Sequence, residues 1–353
     1  EVLHERANGV LCQRDLVALR GHLILLLAPR LASFAANPAF DFERSKNWMK
    51  FISTVREFFS RDFIEVSTPT LVPSPGTEPF LDPFVTTWTM GSRKRTYFLP
   101  TSPEFHLKKM LSSGWPRIFE IKTCFRNGEV GSHHQPEFQM LEWYRAFADL
   151  DAIVGDVEKL FERVCEVFGM KRPTIEKTTM TELFAEAFPG FALRPESNLG
   201  ELRSLAKGQG IGFSEDDDFD DLFHRLFLER IDLRLQGKGI VIVRGYPPSQ
   251  AALSRIGPDG FADRFEVYWR GLEIANAFHE LNDPKANEAR FTDDATKKLL
   301  LAKVPVPRDE DLVRAIQHGL PPSGGIALGL DRLFMAVMSL NEISATRAFP
   351  IQN

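Results

Sequence analysis

Arg117–Phe125 (RIFEIKTCF) and Glu137–Phe147 (EFQMLEWYRAF) flank the polar segment RNGEVGSHHQP at 126–136. Two runs rich in aromatic and branched residues, joined by a stretch with glycine and histidine, predict a long hairpin with a polar tip. Outward on the N-terminal side, a helix-like run follows Pro103. Before it, Trp48, Met49, Phe51, Ile52, Val55, Phe58 and Phe59 recur at helical spacing between Arg44 and Ser60, and Phe63–Val66 reads as a strand ending at Pro69. On the C-terminal side the pattern is mostly helical over 150–237. Strands then return at Gly239–Arg244, Arg264–Trp269, Leu272–Ala275 and Gly325–Leu330, the last running into a helix at Asp331. Strands and helices mixed in this order fit an α+β fold. The acidic run Glu215–Asp218 fits a solvated helix start better than a metal site.

Of 353 residues, 43% are hydrophobic and 26% charged, which is the balance of a chain that buries a large core. No purely apolar stretch is longer than Leu23–Ala28, which is far too short to cross a bilayer, so no membrane segment is expected. Cys12, Cys124 and Cys165 are too scattered for a disulfide framework or a zinc site, which favours a reducing cytoplasm. A net charge of −5 argues against a duplex-coating protein, which needs a surplus of Lys and Arg. Residues 1–40 differ from the rest and form an N-terminal extension with one candidate helix, Gln13–Phe34.

One pair of carboxylates is fixed by strand geometry. If Arg270-Gly271 makes a two-residue turn, Trp269 pairs with Leu272 and Tyr268 with Glu273. Side chains alternate along a strand, so Glu266 shares a face with Tyr268 and therefore with Glu273. Two like charges so placed either stand exposed on a sheet edge or call for a cation between them, and Mg²⁺ held by one or two carboxylates plus phosphate oxygens is then the expected tenant.

Three ordered segments resemble the signature motifs of class II aminoacyl-tRNA synthetases: Val66-Ser67-Thr68-Pro69, then Phe125–Glu129 leading through His133-His134-Gln135-Pro136 into Glu137–Arg145, and finally Gly325–Arg332. The stretch from about Asn47 onward resembles the lysyl branch, which implies the α+β fold of that class, a mostly antiparallel sheet flanked by helices. Thr101–His106, Pro136–Arg145 and Phe278-His279-Glu280-Leu281 are most similar to the elongation factor P (R)-β-lysine ligase family, stand-alone paralogues of lysyl-tRNA synthetase.

The resemblance implies ATP-dependent activation of lysine or (R)-β-lysine as an adenylate, with transfer to a lysine side chain of elongation factor P. An amino-acid carboxylate is already an anion at neutral pH, so attack on the α-phosphorus needs positioning and charge neutralisation rather than a base. Arg126 is the expected bidentate clamp between carboxylate and α-phosphate, and Arg332 the second phosphate arginine. The resemblance places Asn127, Gly128, Glu129, His134, Gln135, Phe138, Glu273, Ile274 and Gly329 around the nucleotide, with Glu266 and Glu273 on Mg²⁺. It places Ser102, Glu104, Glu142, Tyr144, Glu280 and Ala327 around the amino acid. Glu104 would take the amino group beside the carboxylate, and Glu142, Tyr144 and Glu280 the distal ammonium. Several carboxylates converging on one site imply a substrate with two ammonium groups. Ala327 stands where lysyl-tRNA synthetases have a glycine, which favours a β-lysine type of pocket.

Two departures fall in the nucleotide loop. The family reads Arg-Asn-Glu where this chain has Arg126-Asn127-Gly128, with Glu129 one place later, and Gln135 replaces an asparagine. Either the loop shifts so that Glu129 serves, or an adenine contact is lost. Forty N-terminal residues cannot build the five-stranded anticodon-binding barrel of lysyl-tRNA synthetases, so tRNA aminoacylation is not expected. A homodimer is the default, because motif 1 of this class lies in a dimer interface. The readings left open are a lysyl-adenylate-forming enzyme with another acceptor and a non-catalytic paralogue that binds or regulates. The expected organisation is a catalytic unit over 41–353 with a mostly helical insertion at about 150–237.

Overall fold

The computed structural model describes residues 41–351, so the helix expected over Gln13–Phe34 lies outside the described residues. The chain begins with helix α1 (Phe42–Phe59), strand β1 (Ile64–Glu65), the hairpin β2 (Val85–Met90) and β3 (Arg93–Phe98), helix α2 (Glu104–Ser112), and the long hairpin β4 (Arg117–Phe125) and β5 (Glu137–Ala146). Helix α3 (Leu150–Val167), strand β6 (Ile175–Thr179), and helices α4 (Met180–Ala187), α5 (Leu199–Gly208), α6 (Phe219–Leu226) and α7 (Leu233–Gln236) follow. The chain then gives β7 (Ile240–Tyr246), β8 (Ala262–Trp269), β9 (Leu272–His279), α8 (Pro284–Leu300), α9 (Glu310–Gly319), β10 (Ser323–Gly329) and α10 (Leu330–Met338).

The main sheet has eight strands in the order β1-β4-β5-β10-β9-β8-β7-β6. Its interior is antiparallel, and only the outermost pairs, β1 with β4 and β6 with β7, are parallel. This is the α+β arrangement read from the sequence. The β2–β3 hairpin was not legible, because its residues are mostly exposed and show no buried face. Helices α8 and α9 were also unread.

Each helix start has a local cause. The Asp41 carboxylate accepts the Arg44 N–H and caps α1, whose Phe51, Ile52, Val55 and Phe59 then turn inward. Asp218 caps α6 in a reciprocal box with Asp221, which makes the acidic run a helix start, as expected. The core fills the face of the sheet under α1, α3 and α10, where Leu141 and Trp143 of β5, Ile326 and Leu328 of β10, and Phe265 and Val267 of β8 are buried together. Phe59 meets Trp143 at 4.9 Å between ring centroids, and Trp48 meets Phe334 edge-on at 5.2 Å. A second core gathers α4–α7 against Val241, Val243 and Tyr246 of β7. Helix α3 belongs to the main core, so the separate helical layer begins only at Met180.

Candidate active site

The face of the sheet opposite the main core lines a cavity of about 1200 Å³. Register explains which residues it receives. Gly325, Ala327 and Gly329 of β10 lie opposite Tyr144, Glu142 and Met140 of β5, and all six share the cavity face. The β8–β9 turn is the one expected: Arg270 and Gly271 have φ of 55° and 78°, Tyr268 pairs with Glu273 and Trp269 with Leu272. A bulge follows, so that Val267 pairs with Ala275 and Glu266 with Asn276. The extra residue, Ile274, brings Asn276 onto the same face as Glu273 instead of the opposite one.

At one end of the cavity stand the arginines. Arg126 follows β4, its guanidinium lies over the Phe138 ring at 5.1 Å, and its Nη1 is 3.9 Å from Glu129 Oε2. Its Nε is buried and has no hydrogen-bond acceptor. Arg332, in the first turn of α10, donates Nη1 to the Glu273 carbonyl at 3.0 Å and sets Nη2 2.7 Å from His134 Nε2. Burial and the Arg332 charge push the His134 pKa down, so the ring stays neutral beside the guanidinium. Burial, then the Glu266 charge, pushes Glu273 up, against the pull of Arg332.

At the other end stand the carboxylates. Glu104 opens α2, its N–H donating to Ser102 Oγ at 3.2 Å. Tyr144 donates its hydroxyl to Glu142 Oε2 at 3.1 Å. Burial, then the charge of Glu104, holds Glu142 well above the usual carboxylate range. Burial with Glu104 pushes Glu280 up to about 7, although Lys108 opposes it. The two ends line one cavity, and every residue proposed from the sequence lines it except Asn127 and Gly128. The Asn127 N–H is instead spent on the Asp82 carbonyl at 2.8 Å. Gly128 takes a left-handed φ of 80°, which turns the chain so that Glu129, one place later, faces the cavity.

A family model described as tRNA synthetases class II (D, K and N) matches residues 43–353. The chain belongs to this family. Among curated relatives of this synthetase chain, the elongation factor P–(R)-β-lysine ligase of Vibrio vulnificus (strain YJ016) is 35% identical over 320 residues, 89% of this chain and 97% of its own length. The protein of the same name in Vibrio cholerae serotype O1 is also 35% identical, over the same shares. That of Pectobacterium carotovorum subsp. carotovorum is 34% identical over 309 residues, 85% of this chain and 93% of its own.

The synthetase site also contains residues that sequence reasoning missed. Lys108, 2% exposed, sets its Nζ 2.5 Å from Glu104 Oε1 and 2.7 Å from Glu280 Oε2. The one ammonium thereby ties together carboxylates from α2 and from the end of β9. Glu104-x-x-x-Lys108 was visible as an i, i+4 pair, but such pairs usually lie on helix surfaces. Gly325 is a second: a Cβ there would overlap Glu280 Oε1 and the Tyr144 ring. Its signal was the alternation Gly325, Ala327, Gly329 of small residues on one strand face. Glu78 is a third, its pKa raised by burial and by Glu104. Glu78 sits on a strap clamped to the end of α8: Lys298 donates to the Glu78 and Leu81 carbonyls at 2.9 and 2.5 Å, and Lys303 pairs with Asp82 at 3.0 Å. Asp331, buried at the start of α10, accepts the Gln139 N–H at 2.6 Å and Arg347 Nε at 2.7 Å, which locks motif 3 to β5 and to the C-terminal segment.

The donor set at Glu266 bears on Mg²⁺. Tyr246 donates to Glu266 at 2.6 Å, and Tyr268 and Arg264 donate to it as well. Its carboxylate is thus already engaged on both oxygens. Glu273 has only Arg332, 3.8 Å away, and opens to the cavity. Glu273 fits a phosphate-bound cation directly, whereas Glu266 fits as the negative charge behind it. Among the described residues no group of three or more His, Cys, Asp or Glu side chains is placed to hold a metal, so a cation here would draw its other ligands from phosphate and water.

Proposed function

We propose that this chain activates lysine or (R)-β-lysine with ATP and passes the aminoacyl group to a lysine side chain of elongation factor P. The observation that supports this best is one cavity that holds a buried arginine atom without an acceptor and a cluster of buried carboxylates with a single resident ammonium. Arg126 Nε is the unpaired donor, and Glu104, Glu142 and Glu280 share the one ammonium of Lys108. A buried donor without an acceptor and carboxylates in excess of their counter-charge are both costly, so each marks a place where a ligand group belongs. A substrate with a carboxylate at one end and an ammonium at the other satisfies both. The names of the curated relatives supply the acceptor and the lysine isomer.

On this reading the amino-acid carboxylate oxygen attacks the α-phosphorus of ATP, the bond to the β-phosphate oxygen breaks, and pyrophosphate leaves. Arg126 holds the two anions together, Arg332 takes charge on the departing phosphates, and Phe138 supports the Arg126 plane. Mg²⁺, held through Glu273 with Glu266 behind it, would neutralise phosphate charge. Glu129 replaces the expected glutamate of the loop, so ATP binding is retained in spite of Gly128. In the second step the neutral acceptor amine attacks the adenylate carbonyl, AMP leaves with the electron pair, and the surplus proton of the amine passes to water or to the leaving phosphate. Glu142, Tyr144 and Glu280 grip the distal ammonium, and Ala327 narrows the floor beside them. We assign the chain to the cytoplasm and to a homodimer. The exposed Ile64 of the outermost strand β1 and Leu71 after it fit burial against a second copy. No helix among the described residues is long and apolar enough to cross a membrane.

Pyrophosphate exchange with L-lysine, (R)-β-lysine and (S)-β-lysine in parallel, followed by labelling of elongation factor P, tests the proposal. Exchange with a lysine isomer and labelled elongation factor P are expected. Labelled tRNA, or no exchange with any isomer, would overturn it.

A further inference from the structure

The pocket that grips the substrate ammonium groups already contains an ammonium of its own. We propose that Lys108 is a positioning residue, a built-in counter-ion that ties Glu104 to Glu280 and sets the charge of the amino-acid pocket to match a substrate with two ammonium groups. This rests on the reading of the site as a lysine pocket.

The argument is geometric first. Lys108 lies one helical turn after Glu104 on α2, and its Nζ bridges Glu104 and Glu280, which come from α2 and from the end of β9. It is 2% exposed, so no water shell competes for its charge. The groups facing it are few. Glu104 and Glu280 touch it, Glu142 and Tyr144 reach in from β5, the Cys124 thiol from β4 senses Glu142, and Glu78 on the strap faces Glu104 and Arg126. Three carboxylates converge on one resident ammonium, and burial with the Glu104 charge already holds Glu142 well above the usual carboxylate range. Lys108 supplies the positive charge that opposes protonation of Glu280, which leaves acceptors on Glu104 and Glu280 for the two ammonium groups of the substrate. Without it, burial would drive a proton onto Glu280 as well, and its grip would be lost.

The electrostatics agree. Burial pulls the Lys108 pKa down, but Glu104 and Glu280 outweigh it and raise it above the ordinary lysine value, so the side chain stays charged. Glu280 titrates near 7 even with Lys108 beside it. Loss of that ammonium removes the largest force keeping Glu280 ionised. Lys108→Met keeps the length and removes the charge; Lys108→Arg keeps the charge in a larger head.

Calorimetric titration of the full chain with L-lysine and (R)-β-lysine, from about pH 6 to about pH 8.5, separates this role from space filling. In Lys108→Met, affinity near pH 7 falls by about tenfold or more, and the acidic limb of the affinity profile moves up by about one pH unit or more. ATP affinity is unchanged. In Lys108→Arg the limb stays at its wild-type position, whatever overpacking costs in affinity. A Lys108→Met limb that does not move overturns the proposal, as does a limb that moves equally in Lys108→Arg. Should Lys108→Met not fold, the Lys108→Arg limb alone decides, since a shifted limb with the charge retained contradicts the counter-ion role. A wild-type chain that binds neither isomer overturns the lysine reading and this proposal with it, whereas binding by wild type with unmoved limbs overturns this proposal alone.

Discussion

The two faces of one strand, β5, carry opposite solutions to burial. Leu141 and Trp143 point into the main core, where Trp143 is 0% exposed among apolar neighbours and its indole N–H reaches Asp156 at 3.2 Å. Glu142 and Tyr144, the alternating residues, are buried almost as deeply, at 1% and 3%, but among carboxylates. The first face is complete as it stands. The second keeps carboxylates protonated or crowded around a resident lysine, a state that costs stability until a ligand arrives. Burial alone therefore says little about role, and the chemistry of the neighbours decides.

The comparison can be broken from either side. The largest effect is expected on the cavity face: Arg126→Ala should lower pyrophosphate exchange by about a thousandfold, ~4 kcal/mol of transition-state stabilisation, with little change in melting temperature. On the core face the currency reverses. Trp143→Ala should cost about 3–5 kcal/mol of folding stability by urea denaturation, through a cavity and a lost partner for Asp156. Gly325→Ala sharpens the contrast, because the added methyl overlaps Glu280 and Tyr144 on the cavity side only. The KM for lysine should rise by about 100-fold, ~2.7 kcal/mol, while ATP affinity holds.

The smallest effect is a pH dependence. Glu280 has a folded-state pKa of about 7 against an ordinary 4.5, so the folded chain binds the extra proton. Its contribution to stability is fully present below about pH 4.5 and is lost as pH rises through about 7. A substrate ammonium pairs with the ionised form and restores what was lost. The rise in melting temperature on adding lysine should be larger at about pH 8 than at about pH 6, by about 1–3 °C. An equal or smaller rise at the higher pH would place the distal ammonium away from Glu280.

Much of this site could be read before any coordinates. The β8–β9 pairing followed from a two-residue turn, and Glu266 and Glu273 do share a face. The bulge at Ile274 could not be read, since nothing in Leu-Glu-Ile-Ala-Asn signals an extra residue, and it is what puts Asn276 beside them. Asn127 was assigned to the nucleotide from its motif, yet its N–H is committed to Asp82, a partner 45 positions earlier that local reasoning does not reach. Glu266 was legible as a carboxylate on the right face. The Tyr246, Tyr268 and Arg264 donors that occupy it were not.

Sequence by itself determined the long β4–β5 hairpin, the β8–β9 turn and the helix α1, because alternation along strands and helical spacing are local properties, and it determined which residue types gather for adenylate chemistry. Tertiary structure alone decided how their charges balance. Lys108 meets Glu280 across 172 positions, and the strap bearing Glu78 is held by Lys298 across 220. The energy of a buried charge depends on what surrounds it in space, and that surrounding is assembled from parts of the chain that carry no sign of one another.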